Sequence, residues 1–415
     1  MSGQVFSAAV IGGGIVGLSI ALELQRCGES VLLVERDTVC GGTSYGNAGH
    51  IATEQVFPIA SPDVLKQLPK MLLDPLGPLR LDWKYLPKIA PWLFNLLRNL
   101  TPERFQRSHR ALMALNSLAL AAWREFAQEW GVEQHIRIDG SLLVCETENG
   151  QAALQKHGRV LNELGVVNEW LDHASLYERE PALADTQLGA LFYPDTGHVV
   201  DLARMAADLQ HAFVQAGGTI SEHTDVSDIQ SFSDDLFRIS SDGKAFEAKC
   251  VVIAAGAFSK PWLKKLCGSD IPLDTERGYH LMLPQSRNIL NVPVSSFDRK
   301  FIMTPMSAGL RLAGTVEFAG LDAPPNMERA EQLFRLAEPM LKGRLNRQDA
   351  MPWMGFRPSI ADSLPVIDRK ENILLAFGHQ HLGLTQAPLT AKLVKALYFG
   401  EQPAIDLSPY RFNRF

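Results

Sequence analysis

Positions 6–11 (FSAAVI) form a short, almost wholly apolar run, and positions 15–26 (IVGLSIALELQR) carry apolar residues at three- and four-residue spacing. The first pattern predicts a buried strand and the second an amphipathic helix, closed by Gly28 at its C-terminal end. A second apolar run over 30–34 completes a βαβ unit. Strands apolar on both faces are the signature of a parallel sheet covered by helices.

Further along, the pattern changes. Between 57 and 130 prolines are frequent, Trp83, Trp92, Trp123 and Trp130 occur, and the run LDWKYLPKIAPWLFNLLRNL (81–100) reads as helical. From 195 to 258 a helix (LARMAADLQHAFVQAGG) is followed by short strands with polar turns and by the apolar strand CVVIAAG. Positions 271–354 read as strands and one helix (ERAEQLFRLAEPML); the tail reads as a strand (ILLAF), a glycine-histidine loop and a helix over 384–399. Pro388 in that helix is expected in its first turn, because proline has no N–H to give farther in.

With 415 residues, of which 46% are hydrophobic and 21% charged, the chain can bury a large core. Its length exceeds the ~250–300 residues at which single cores usually split, which predicts two domains. The formal charge of −6 excludes a basic nucleic-acid binder. The longest apolar run, 10–24, contains five glycines or serines and Glu23. It falls short of the ~18 uninterrupted apolar residues of a membrane span. The N-terminus lacks the basic region of a secretory signal, so a cytoplasmic location is expected. Cys27, Cys40, Cys145, Cys250 and Cys267 are odd in number and widely spaced, a pattern of neither a disulfide framework nor a metal site.

Candidate chemistry begins at the first strand-helix junction, where Gly12, Gly14 and Gly17 fill a G-x-G-x-x-G pattern. The first glycine permits a tight turn, the second admits a pyrophosphate to the backbone, and the third lets helix pack on strand. The helix N-terminus offers N–H groups to the anion. Glu35, about 20 residues on at the end of the next strand, suits paired ribose hydroxyls. A dinucleotide site follows, but the motif alone leaves NAD and FAD open. Three other segments favour FAD. Positions 41–50 contain Thr43, Ser44, Asn47, Ala48 and Gly49, small or hydrogen-bonding residues suited to line pyrophosphate and flavin. Positions 251–257 are a strand ending in the small residues Ala255 and Gly256. Positions 378–385 lead through Gly383, Leu384 and Thr385 into a helix whose N-terminus suits the negative charge of a reduced flavin.

The ordered motifs GGGIVG, VER (with Arg36 after the carboxylate), TSYGNAGHI, EREPAL, VVIAAGAFS, ERGYHL, GFRPSIADSLPVID and GHQHLGLTQAP span nearly the whole chain. Together they resemble the flavoprotein amine and amino-acid oxidoreductases that include D-amino-acid oxidase, glycine oxidase and sarcosine oxidase, and within them the bacterial D-amino-acid dehydrogenases. The resemblance implies an α/β architecture: a discontinuous Rossmann-like FAD domain (1–55, 196–270, 355–415) and an α+β substrate domain on an antiparallel-rich sheet (56–195, 271–354). It also implies noncovalent FAD, since no cysteine follows Cys267 where some sarcosine oxidases attach their flavin.

Arg357, in Gly355-Phe356-Arg357-Pro358, matches the family's carboxylate-binding arginine, a role suited to a planar guanidinium fork. Tyr279 resembles a position whose phenol assists carboxylate binding. His50 falls where some relatives place a histidine near the substrate amine, and a plain loop histidine is the other reading. His381 lies where relatives carry a pocket residue beside the flavin, with packing at the flavin edge as the alternative. The implied reaction is dehydrogenation of a D-amino acid, hydride passing from Cα to flavin N5, with Arg357 and Tyr279 orienting the substrate. The GHQHLGLTQ loop resembles that of dehydrogenases acting on D-proline or cis-4-hydroxy-D-proline. An O₂-using oxidase of glycine, sarcosine or another secondary amine, and a non-catalytic flavin-binding subunit, are the competing readings. Positions 79–100 combine aromatic and aliphatic residues with Arg80, Lys84, Lys88 and Arg98. That mixture suits either a core-packed helix pair or a peripheral contact with the inner membrane, where a quinone or carrier protein accepts the electrons.

Overall fold

The computed structural model describes residues 4–59, 76–233 and 236–415. The prolines and apolar residues of 60–75, expected to open the second region, lie outside them. Two large sheets organise the rest. In the first, the parallel core runs Thr219–Ser221, Val31–Val34, Val5–Ile11, Lys244–Ile253 and Ile373–Phe377. Val31–Val34 and Ile373–Phe377 are buried at every position, which explains their uninterrupted apolar sequence. Lys244–Ile253 does two jobs. Its first half, exposed at Lys244 and Ala245 and buried by Ala248, forms an antiparallel hairpin with Leu236–Ser241, and its wholly buried last residues enter the parallel core.

Helix Ile15–Arg26 connects the first two strands, and helices Gly383–Phe399 and Pro102–Trp130 join it in one core containing Leu18, Leu22, Leu115, Trp123, Leu389 and Leu393. Pro388 lies beyond the first turn of Gly383–Phe399, contrary to the sequence expectation. The carbonyl of Leu384, which a residue other than proline at 388 would bond, instead accepts the indole N–H of buried Trp123 at 2.9 Å. A tertiary donor replaces the missing helical one.

The second sheet runs Met351–Ile360, Leu273–Leu283, Gly309–Phe318, Phe301–Met306, Val294–Ser296, Ser141–Cys145, Gly189–Tyr193 and Glu169–Asp172. Its central pairings are antiparallel, and Leu333, Ala337 and Met340 pack on it from helix Glu328–Ala337 and the turn after it. Met351–Ile360 belongs to this sheet throughout, so the strand passes through position 355, where the sequence reading returned to the FAD domain. A small third sheet joins His50–Ile51, Gly197–Val199 and Ile136–Arg137. The run at 81–100 forms helix Leu86–Arg98, which buries Ile89 and Trp92 and exposes Phe94 and Leu97. Among the described residues, no helix is long and apolar enough to cross a membrane.

Candidate active site

The glycine motif divides into positions that hold the fold and one that faces a ligand. Gly12 has φ +104°, and a Cβ there would lie 2.6 Å from the Ala254 carbonyl oxygen. A Cβ on Gly17 would lie 1.9 Å from the carbonyl oxygen of Gly12. Gly14 is different: its Cβ would meet only Ser44 Oγ, at 3.4 Å. Gly14 also caps helix Ile15–Arg26 with no side chain of its own, and the first helical N–H, that of Ile15, donates to Ser44 Oγ at 2.9 Å, which holds the 43–50 loop against the helix start.

In front lies a cavity of about 660 Å³. Gly12, Gly14, Glu35 and Arg36 line one end, with Ala255 and Gly256 from the strand end opposite. Thr43, Ser44 and Asn47 continue the wall, which Gly383 and Leu384 close from the last helix. Glu35 accepts N–H groups from Gly13 at 2.7 Å and Asp37 at 3.0 Å, which fixes its carboxylate at the cavity edge. The Arg36 guanidinium stacks 3.7 Å from the ring centroid of Phe258. Four of the expected cofactor residues stand behind the wall. Gly17 packs on Gly12, and Gly49 at φ +77° packs on Met306. Thr385 is fully buried and accepts the Ala52 N–H at 2.9 Å, and Ala48 does not reach the cavity.

Sequence reasoning missed the residues that clamp the 43–50 loop. Arg311 Nη1 donates to the carbonyls of Tyr45 at 2.9 Å and Asn47 at 2.6 Å. His280 Nδ1 lies 3.1 Å from the Gly46 carbonyl, and its ring stacks on Trp353 at 5.0 Å between centroids. Burial pulls the His280 pKa down to about 3, with Arg311 adding to the effect, so the ring is neutral. Phe258 and Trp353 in the cavity wall were missed as well. Phe258 and His280 lie within quoted motifs, but nothing local assigns these roles, since the bonds from Arg311 and His280 to the 43–50 loop cross more than two hundred positions of chain.

Arg357 lies in strand Met351–Ile360, opposite Glu276 of Leu273–Leu283. A Cβ on Gly278 would lie 2.4 Å from the guanidinium carbon, so that glycine gives Arg357 room to lie flat over the sheet. The only hydrogen bond found for it among the described residues runs from Nη1 to the Thr315 carbonyl at 3.3 Å, and it has no ion pair there. Glu276 is occupied by Ser359 Oγ at 2.6 Å. Burial holds the Arg357 pKa below its ordinary value, with Glu276 opposing. His381 is neutral too, pulled to about 4 by burial, then by Arg357 and His50. The Gln380 N–H donates to the Pro358 carbonyl at 3.0 Å and Thr385 accepts the Ala52 N–H, so the loop that carries His381 runs beside both Arg357 and the His50 segment.

Tyr279 is not brought there. Its register is three residues from Glu276, an odd offset that points it to the other face of the sheet. Its hydroxyl donates to Glu317 at 2.5 Å and accepts the Asn326 N–H at 3.1 Å. Burial and Glu317 push its pKa up to about 12.

A long cavity with two Cβ-intolerant glycines, a helix N-terminus fronted by Gly14 and a fixed carboxylate at one end fits FAD. The family model "FAD dependent oxidoreductase" (DAO) matches residues 7–397. The chain belongs to this family of flavoenzymes. It is 34% identical to a D-amino-acid oxidase of Bradyrhizobium diazoefficiens over 98% of both chains. A D-amino acid dehydrogenase of Vibrio vulnificus is 28% identical over 97% of this flavoenzyme and 99% of that one. Its fold matches glycine oxidase from Geobacillus kaustophilus with a TM-score of 0.77, at 23% identity and 99% coverage of both chains.

Proposed function

We propose that this flavoenzyme oxidatively deaminates a D-amino acid. The observation that carries the reading is Arg357, a half-buried guanidinium with no ion pair among the described residues, set in the strand that borders the FAD cavity. It holds the α-carboxylate and orients the Cα–H bond, and positioning of this kind supplies much of the rate. Bound FAD supplies the two-electron acceptor. His381, kept neutral, shapes the space beside Arg357 without adding a competing charge. Loss of two electrons and two protons gives an imine. Water converts it to a 2-oxo acid and ammonia, or a D-proline-type substrate leaves as a pyrroline carboxylate. FAD is held noncovalently: Cys40 is the cysteine in the cavity wall, and burial pushes its thiol up to about 12, far from a nucleophilic thiolate.

Electrons leave to a quinone or carrier at a membrane surface. Supporting this, Trp83, Phe94 and Leu97 are exposed at 60, 62 and 55%, and Lys84, Lys88 and Arg98 surround them, a mixture suited to anionic lipid headgroups. An O₂-using oxidase is the second reading, favoured by the name of the Bradyrhizobium relative. Anaerobic mixing with D-amino acids, D-proline derivatives, glycine and sarcosine, scored by loss of flavin absorbance, tests the substrate class. Bleaching by glycine or sarcosine alone overturns the reading. Dye reduction with little peroxide, and sedimentation with vesicles, supports the membrane acceptor; peroxide formed in step with substrate identifies an oxidase.

A further inference from the structure

Beside Arg357 lies a group of buried polar atoms that the protein itself leaves unpaired. His50 Nε2 and Glu54 Oε2 have no hydrogen-bond partner among the described residues. Glu54 is 8% exposed and His198 fully buried. His50 and His198 are cross-strand partners, and His50 Nδ1 lies 3.9 Å from Glu54 Oε1, too far for a hydrogen bond. Oε1 accepts from Gln55 Nε2 at 3.2 Å, which leaves Oε2 as the unused oxygen.

Loose placement does not account for this. Ala52 is tied to Thr385 at 2.9 Å, and the Gln55 carbonyl to Asn116 Nδ2 at 2.8 Å, so two helices fix the segment that carries Glu54. One loop ties the group to Arg357: the Gln380 N–H donates to the carbonyl of Pro358, the residue after Arg357, at 3.0 Å, and Thr385 of the same stretch accepts the Ala52 N–H between His50 and Glu54. Burial and then Glu54 raise the pKa of the Tyr193 hydroxyl. His198, near Arg137, is pulled to about 4 by burial and stays neutral. A buried carboxylate oxygen is costly unless a donor reaches it, and a cation is the strongest donor.

We propose that Glu54 is a substrate-recognition residue, whose free carboxylate oxygen receives the α-ammonium group of the amino acid held through its carboxylate by Arg357. The inference rests on the D-amino-acid reading and deepens it: the pocket is complementary to a zwitterion, with a guanidinium for one charge and a carboxylate for the other. A carboxylic acid without an amine engages Arg357 alone.

The test compares FAD-loaded wild type with Glu54→Gln and Glu54→Asp. KM is measured for the D-amino acid that bleaches wild-type flavin best, and Kd for propanoate from the flavin absorbance change. In Glu54→Gln, KM is expected to rise about tenfold to a hundredfold, the loss of one charge-assisted bond, with the propanoate Kd unchanged. Glu54→Asp recovers part of the loss, and carries the comparison if the Gln variant fails to retain FAD. Unchanged KM, or propanoate weakened by the same factor as the amino acid, overturns the proposal. Failure of the underlying reading shows separately, as wild-type flavin that no D-amino acid bleaches while propanoate still binds.

Discussion

The indole N–H of Trp123 bonds the carbonyl of Leu384, four residues before Pro388, across 261 positions of chain. Leu384 also lines the FAD cavity, so this bond braces a helix start that the cofactor needs. Trp123→Phe leaves a buried carbonyl unpaired and is expected to cost about 1–3 kcal/mol, measured by denaturant unfolding. Adding Pro388→Ala returns a helical N–H to that carbonyl, so the double variant should lose less than Trp123→Phe alone. Additive losses would show that the two residues do not share the carbonyl.

Two glycines of one motif should behave differently. A Cβ at position 14 meets only Ser44 Oγ, so Gly14→Ala is expected to fold with the Tm of wild-type apoprotein and to stay colourless, because the methyl blocks the pyrophosphate. Gly17→Ala drives a methyl onto the Gly12 carbonyl and should lower Tm whether or not FAD is added. A yellow Gly14→Ala variant would move the cofactor away from that backbone.

Arg357→Lys is expected to retain FAD but lose kcat/KM by about 2–5 kcal/mol, since an ammonium cannot reproduce a two-point fork. Tyr279→Phe should instead lower Tm, by removing the donor to Glu317, and leave KM near wild type. Steady-state kinetics with a reducible dye distinguish the two.

Stability should fall with acid. Burial holds His198, His280, His379 and His381 at about 4, 3, 3 and 4, against 6.5 for an unburied histidine. Below 6.5 the unfolded chain binds protons that the native chain refuses. The stability these neutral rings contribute is therefore complete above 6.5 and is lost as pH falls toward 3. Calorimetry should give a level Tm above about pH 7 and a declining one below 6.5; a level Tm down to about pH 4.5 would contradict the buried neutral rings.

The nucleotide half of the site was legible in sequence because its determinants are local. Gly12, Gly14 and Gly17 act through backbone room within one turn, and Glu35 follows at the end of the adjacent parallel strand, so spacing along the chain equals placement in space. Helix Ile15–Arg26 was legible for the same reason, although positions 17–24 are all buried and the helix is covered nearly all round rather than on one face. The substrate half was not. Tyr279 stands near Glu276 in sequence, yet the alternation of a strand sends it to the opposite face, and Glu317 from another strand claims its hydroxyl. Pro388 could sit within its helix because Trp123 arrives from a distant one. Arg311, His280 and Glu54 acquire their surroundings only when the two sheets and the small third sheet meet. Sequence by itself determined the elements, the cofactor end and the presence of Arg357. Strand register and packing between distant segments decided which polar atoms were satisfied within the fold and which were left for a substrate, because hydrogen bonding and burial depend on distance in space.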